Sequence, residues 1–339
     1  MASTLQAKYI AANALNTFLP LQYLFRRLKN RYIFAYHRVV PHSKAIKYRM
    51  QQSMWISPET FSSDLHWMSE HGEIVDLDTI LDFTHQNTRP LFSITFDDGW
   101  VDNYEYALPA LNHYSAPATV FLVTRAVETG NLFWVEDFLY KISMFQDLEP
   151  GDNILPRLHH CATKHNLDID VKHANTQTTA ELIAESLKPM EKGCRDIILL
   201  DIYKTLGLSI KPLTGEILTW EQIRKMHRLD IEFGSHTNTH EILQYINDDA
   251  CIDELETSKR TINERLHTQI RYFCYPNARY NTSSPEYVKS SGYSYAFRIH
   301  NLPVTHNSDR YLIPRFLLNE AVCINKNYLM CKLLKFPKF

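Results

Sequence analysis

The chain has 339 residues, 45% hydrophobic and 22% charged, the composition of a soluble globular protein with one large domain or two medium ones. A net charge of −2 argues against a global nucleic-acid-binding field. Nine glycines beside fifteen prolines, with no GxGxxG or GxxxxGK(S/T), argue against a Gly-rich phosphate cradle. The six cysteines (Cys161, Cys194, Cys251, Cys274, Cys323, Cys331) form no CxxC pair and fit a reducing compartment better than a disulfide framework.

Residues 1–30 read as an amphipathic segment. Its apolar part, around Phe18 to Phe25, is interrupted by Pro20 and Gln22, and Arg26, Arg27, Lys29 and Arg31 follow rather than precede it. That order is the reverse of a secretory signal and the run is too short to span a bilayer, so the expected location is cytoplasmic. The tail at 321–339 also pairs apolar with basic residues, from Tyr328 to Phe336. Either both ends pack on the domain as helices, or they touch the inner face of an anionic membrane peripherally. No nucleic-acid partner is expected, and the oligomeric state is left open.

Arg31 to Tyr36 (RYIFAY) reads as a strand ending at His37. Ser57-Pro58-Glu59 opens a helix, with Ser as N-cap and Pro at the first helical position, and Phe61, Leu65 and Met68 continue it. Further strands are expected at Glu73–Leu77, Leu91–Phe96 and Ala118–Val123, with a helix carrying Tyr104, Leu108 and Leu111 between the last two. Thr219-Trp220-Glu221-Gln222 is a capping box, followed by a strand at Ile231–Gly234. A long helix over about Asp249–Leu266 places Ile252, Leu255, Ile262 and Leu266 on one face. Strands then follow near Arg271–Tyr275, Tyr293–Phe297 and Tyr311–Ile313. Repeated strand–helix units predict a parallel α/β sheet, in a number that permits a barrel. Residues from about 130 to 215 break the rhythm and predict a mostly helical insertion. Its His159-His160-Cys161 and His165 lack a second ligand cluster at defined spacing, and the histidines read as surface residues rather than a metal site.

Two strand ends carry chemistry. Ser93-Ile94-Thr95-Phe96-Asp97-Asp98-Gly99-Trp100 runs an apolar strand into an Asp-Asp-Gly turn, where both carboxylates can reach one crevice. Asp-Asp-Gly alone is a turn as readily as a site. Gly234-Ser235-His236-Thr237-Asn238-Thr239-His240 also follows a strand, and one helical turn would bring its two imidazoles to one face. Two histidines and one carboxylate make a three-ligand zinc site, leaving the second carboxylate free as a base.

TFDDGW together with GSHTNTH resembles the first two motifs of the polysaccharide deacetylases, the NodB-homology domain of carbohydrate esterase family 4. YHRV (Tyr36 to Val39), ALPAL (Ala107 to Leu111), PATVFLV (Pro117 to Val123), LTWEQI (Leu218 to Ile223), YFCYPNARYN (Tyr272 to Asn281) and RYLIPRFL (Arg310 to Leu317) follow in the order of one branch of that family. The resemblance covers residues 31–317 apart from the insertion. It implies a distorted (β/α)7 barrel over about 31–320 with its site at the C-terminal strand ends. Asp98, His236 and His240 would be the metal ligands and Asp97 the general base. The divalent metal is usually zinc, with cobalt or nickel as alternatives. The substrate class it implies is an N-acetylated glycan or glycan precursor.

Three departures follow from the same comparison. Many members carry an arginine two residues before the proline of the third motif; here that position is Cys274, and Arg315 is the expected replacement. The aromatic residue after Pro276 is here Asn277, whose backbone N–H would still serve the oxyanion, with Tyr275 beside it. No late Leu-x-His motif, the usual source of the general acid, is present; in the branch opening with YHxV an early histidine fills that place, so the resemblance implies His37 as the general acid, with His300 as its rival. The same machinery on an O-acetyl ester or another small amide, or a glycan-binding relic without turnover, are the alternative functions.

Overall fold

The protein, as a computed structural model, is described over residues 2–148, 153–170 and 174–336. Seven parallel strands close into a barrel: β1 (Arg31–Tyr36), β2 (Leu91–Phe96), β3 (Ala118–Leu122), β4 (Ile231–Ser235), β5 (Tyr272–Cys274), β6 (Tyr295–Ile299) and β7 (Ile313–Leu317). Each pairs with the next, and β1 closes the ring by pairing with both β7 and β2, from Arg31 opposite Leu91 to Tyr36 opposite Phe96. β1, β2 and β3 are buried at every residue, because one face fills the barrel and the other meets helices. That is why these segments read as unbroken apolar runs rather than alternating ones.

Local signals in the sequence act where expected. The Ser57 side chain accepts the N–H of Thr60 to start the Pro58–His71 helix, and Thr219 and Gln222 form the reciprocal capping box of the Trp220–His227 helix. Four expectations shift, one being the strand near Tyr293–Phe297, which runs Tyr295–Ile299. Only Glu73 and Ile74 are extended, lying beside β2, because Asp76 caps a short helix at Leu77–Leu81 through the N–H of Thr79. The last strand runs Ile313–Leu317, beginning where a Tyr311–Ile313 strand would end. On the Asp248–Leu266 helix, Cys251 rather than Ile252 joins Leu255, Ile262 and Leu266 in the core.

Between β3 and β4 the chain builds four longer helices, Trp134–Leu148, Leu155–Lys164, Thr176–Leu187 and Lys192–Leu206. They enclose a core of their own, with Phe138, Ile142, Leu158, Cys161, Ile183, Leu187 and Ile202 fully or almost fully buried. Bridges between Asn131 and Thr214 and between Trp100 and Ile217 pin the base of this unit to the C-terminal rim of the barrel. His165 Nε2 lies 2.7 Å from the Asp201 carboxylate, and among the described residues no metal-type cluster forms here.

The Ala2–Phe18 helix packs on the Lys326–Leu333 helix, with the Tyr9 ring edge-on to Tyr328 at 5.5 Å. Ile10 and Phe18 stay exposed, at 63% and 88%. No described helix is long and apolar enough to cross a membrane. All six cysteines are free.

Candidate active site

Adjacent side chains on a strand point to opposite faces, so Asp97 and Asp98 share a crevice only if the chain turns between them. Asp98 supplies that turn with a left-handed backbone (φ 76°), and Gly99 extends it at φ 79°. A Cβ on Gly99 would lie 2.9 Å from the Leu122 Cδ2 methyl, which would have to move, so the left-handed backbone is the stronger reason for glycine here. The strained Asp98 backbone is of the kind that gathers at functional sites.

His236 and His240 arrive from the end of β4, but not on a helix. A loop joins them, with left-handed backbone at Thr237 (φ 67°) and His240 (φ 64°). The buried Glu254 carboxylate holds it, accepting the N–H groups of Asn238 and Thr239 at 2.8 Å each and the Thr239 hydroxyl. His236 Nδ1 lies 2.8 Å from the Cys274 carbonyl oxygen, which turns Nε2 inward, while Phe133 packs at a tilt against the His240 ring, centroids 4.3 Å apart. Both Nε2 atoms lie 3.4 Å from Asp98 Oδ1, and all three side chains are almost wholly buried. Burial pushes the His236 imidazole down to about 4, so it is neutral. The Asp98 carboxyl is held below its ordinary value: burial opposes ionisation, and the adjacent His240 imidazole, 3.4 Å away, outweighs it.

Arg315, in the middle of β7 and wholly buried, lies under Asp97. Its two terminal nitrogens donate to Asp97 Oδ1 and Oδ2 at 2.8 and 2.7 Å, and a third contact reaches Cys274 Sγ at 2.7 Å. Burial would raise the Asp97 carboxyl, but this bidentate pair outweighs it and the net direction is down. His37, at the end of β1, lines the cleft with Nε2 3.9 Å from Asp97 Oδ2 and a buried Nδ1 without a hydrogen-bond partner. His300 is exposed and does not line the cleft.

The cleft measures about 320 Å³. One side is the third-motif turn, where Asn277 and Ala278 both have left-handed backbone and the buried Tyr275 hydroxyl has no hydrogen-bond partner. The helical insertion adds Glu136, Glu181, Glu185 and Lys188 to the lining. Lys188 Nζ donates to the Asn277 side-chain oxygen at 2.8 Å, and Arg279 reaches Glu185 at 3.1 Å, tying the insertion to that turn. Sequence reasoning missed these wall residues, because no motif marks a side chain whose place depends on how the insertion packs.

The sequence profile of the family described as polysaccharide deacetylase matches residues 84–296. The chain belongs to this family. It is a hydrolase of the polysaccharide-deacetylase type. The match includes Asp97, Asp98, His236 and His240, and leaves His37 on β1 and Arg315 on β7 outside it. The chain is 25% identical over 268 residues to a poly-beta-1,6-N-acetyl-D-glucosamine N-deacetylase of Staphylococcus aureus, covering 78% of this chain and 68% of that protein. A Staphylococcus epidermidis protein of the same name is 20% identical over 277 residues. Among solved structures, the deacetylase PplD of Streptococcus pyogenes, in complex with acetate, aligns at a TM-score of 0.58 and 17% identity over 88% of this chain and 96% of that one. IcaB from Ammonifex degensii aligns at 0.56 and 16% over 90% and 98%. These structures share the NodB-type distorted barrel.

The donor set of this polysaccharide deacetylase fits a divalent cation. Asp98 Oδ1 is buried with no hydrogen-bond partner and faces two imidazole nitrogens, the largest of which gaps lies within 4.8 Å. Two nitrogens and one carboxylate oxygen are the donors of an open zinc-type site. Glu136 senses the same charge. Burial, then the negative Asp98, pushes its carboxyl up to about 7. Between about pH 4.5 and 7 the folded protein therefore keeps on Glu136 a proton that the unfolded chain has released, and the contribution of this one group to stability falls as pH rises. In metal-free protein, Glu136→Gln is expected to melt like the wild type near pH 4 and above it near pH 8, by of order 1–3 kcal/mol. Thermal melts across that range check it; a constant offset at all pH values would count against the assignment.

Proposed function

We propose that the protein removes N-acetyl groups from an acetamido sugar of a glycan, with poly-β-1,6-N-acetylglucosamine, the substrate named for the staphylococcal relatives, as the first to test. The observation that carries this reading is the pair of neighbouring carboxylates in different surroundings, Asp98 between two imidazoles and Asp97 on a guanidinium. Asp98, His236 and His240 would hold the cation, zinc before cobalt or nickel. Bound there, it would supply a Lewis acid that polarises the acetyl carbonyl and acidifies water.

Asp97 accepts the proton of the attacking water, and Arg315 keeps that carboxylate ionised and aimed. The backbone N–H of Asn277, at the turn held by Lys188, donates to the oxygen that becomes negative on the way to the tetrahedral intermediate. His37 Nε2 delivers a proton to the leaving amine, giving free amino sugar and acetate. The buried Tyr275 ring closes the floor of the cleft, and the insertion wall restricts which neighbouring sugars fit.

Acetate release from a β-1,6-linked N-acetylglucosamine oligomer tests the reading. Release that stops with a chelator and returns with zinc is expected. Acetate from an O-acetylated glycan but none from the N-acetylated one would replace it with the esterase reading. Binding without release from either would indicate a relic.

A further inference from the structure

Asp98 has one carboxylate oxygen facing the histidines, and the other is already taken. The indole N–H of Trp100 donates to Asp98 Oδ2 at 2.9 Å. A carboxylate turns easily about its last torsion, so a fixed donor on Oδ2 is what keeps Oδ1 between His236 and His240. The question is then what fixes Trp100, which is fully buried.

Its ring lies under Arg38, whose guanidinium carbon sits 4.1 Å from the ring centroid. Arg38 is only 1% exposed and spends every arm: Nε donates to Asp102 at 2.7 Å, and the two terminal nitrogens reach Tyr140 and Glu216. Asp102 also accepts the N–H of Val39 at 2.8 Å, and Lys44 pairs with Glu216 at 2.8 Å. The ring of Phe133, the residue packed against His240, has its centroid 5.8 Å from that of Trp100. Tyr140 and Glu216 belong to the first helix of the insertion and to the segment returning from it. The main chain of that segment is joined to the aspartate turn, Val101 N–H to Glu216 and Leu218 N–H to Gly99, both at 2.9 Å.

We propose that Trp100 and Arg38 are positioning residues for cation binding: Trp100 fixes the rotation of the Asp98 carboxylate, and Arg38 locks Trp100 against the base of the helical insertion. This rests on the reading of Asp98 as a metal ligand. The relay gives a purpose to two motif positions that the catalytic reading leaves idle, the arginine of YHRV and the tryptophan of DDGW.

The test is zinc affinity of the purified full chain, measured by competition with a chromophoric chelator, with a thermal melt of each metal-free variant alongside. Trp100→Phe keeps an aromatic ring under Arg38 and loses only the donor and part of the volume. Its zinc dissociation constant is expected to rise about 10–100-fold, the usual effect of removing a group that orients a ligand. Arg38→Lys cannot reach Asp102, Tyr140 and Glu216 together; it is expected to weaken zinc as well. The double variant should fall short of the product of the two effects, because both act on one carboxylate. Wild-type zinc affinity in Trp100→Phe overturns the proposal. An Arg38→Lys protein that melts lower yet binds zinc normally removes Arg38 from the relay and leaves it a fold residue. Asp98→Asn separates the two readings. If it loses zinc while Trp100→Phe does not, only the relay fails; if it too binds zinc normally, the ligand reading fails and takes the relay with it.

Discussion

Asp97→Asn is expected to keep its zinc and lose about 10²–10⁴-fold in turnover, the typical contribution of a positioned general base. Asp98→Asn is expected to lose the zinc instead. The two changes are chemically identical and one residue apart, so a difference in outcome reports the environment alone. Asp98 presents a partner-free oxygen to two imidazole nitrogens, and an amide there gives up the negative charge that a cation needs. Asp97 has both oxygens on Arg315, and an amide there cannot accept a proton. Zinc content by elemental analysis and acetate release on the same samples decide the matter. Loss of metal in both variants, or full activity in Asp97→Asn, would break the division of labour between them.

The sequence carried the strand ends that hold the site but not the geometry that joins them. Leu91–Phe96 and Ala118–Leu122 were legible as strands because a barrel strand is buried on both faces and reads as an apolar run. The HxxxH spacing suggested a helical turn, and a loop does the work instead. The loop depends on two left-handed residues and on Glu254, sixteen residues beyond Asn238, a contact no local pattern announces. β7 extends through Pro314, paired with Arg298, whereas a strand reading stops at a residue with no N–H to donate. Arg315 was reachable by asking what could replace the arginine that Cys274 displaces. Lys188 and Glu136 were not, because their place in the cleft is set by how the insertion packs.

Arg315 is where stability and chemistry meet. Arg315→Leu is expected to cost about 3–5 kcal/mol, because it leaves the buried Asp97 carboxylate unpaired. The same change should move the acid limb of the pH–rate profile to higher pH. Arg315 is what holds the Asp97 carboxyl down against burial, so without it the proton returns at a higher pH and the base is lost sooner on acidification. The Cys274 sulfur touches the Arg315 guanidinium at 2.7 Å, so the space vacated by the leucine change adjoins residue 274. Adding Cys274→Arg would bring a guanidinium to Asp97 from the third-motif position where the family resemblance expects one. The double variant is expected to regain part of the lost stability and to return the acid limb toward its wild-type position. Melting curves and pH–rate profiles of the single and double variants provide the check. If the double variant is no better than Arg315→Leu on both counts, Arg315 is not filling the role that Cys274 leaves open.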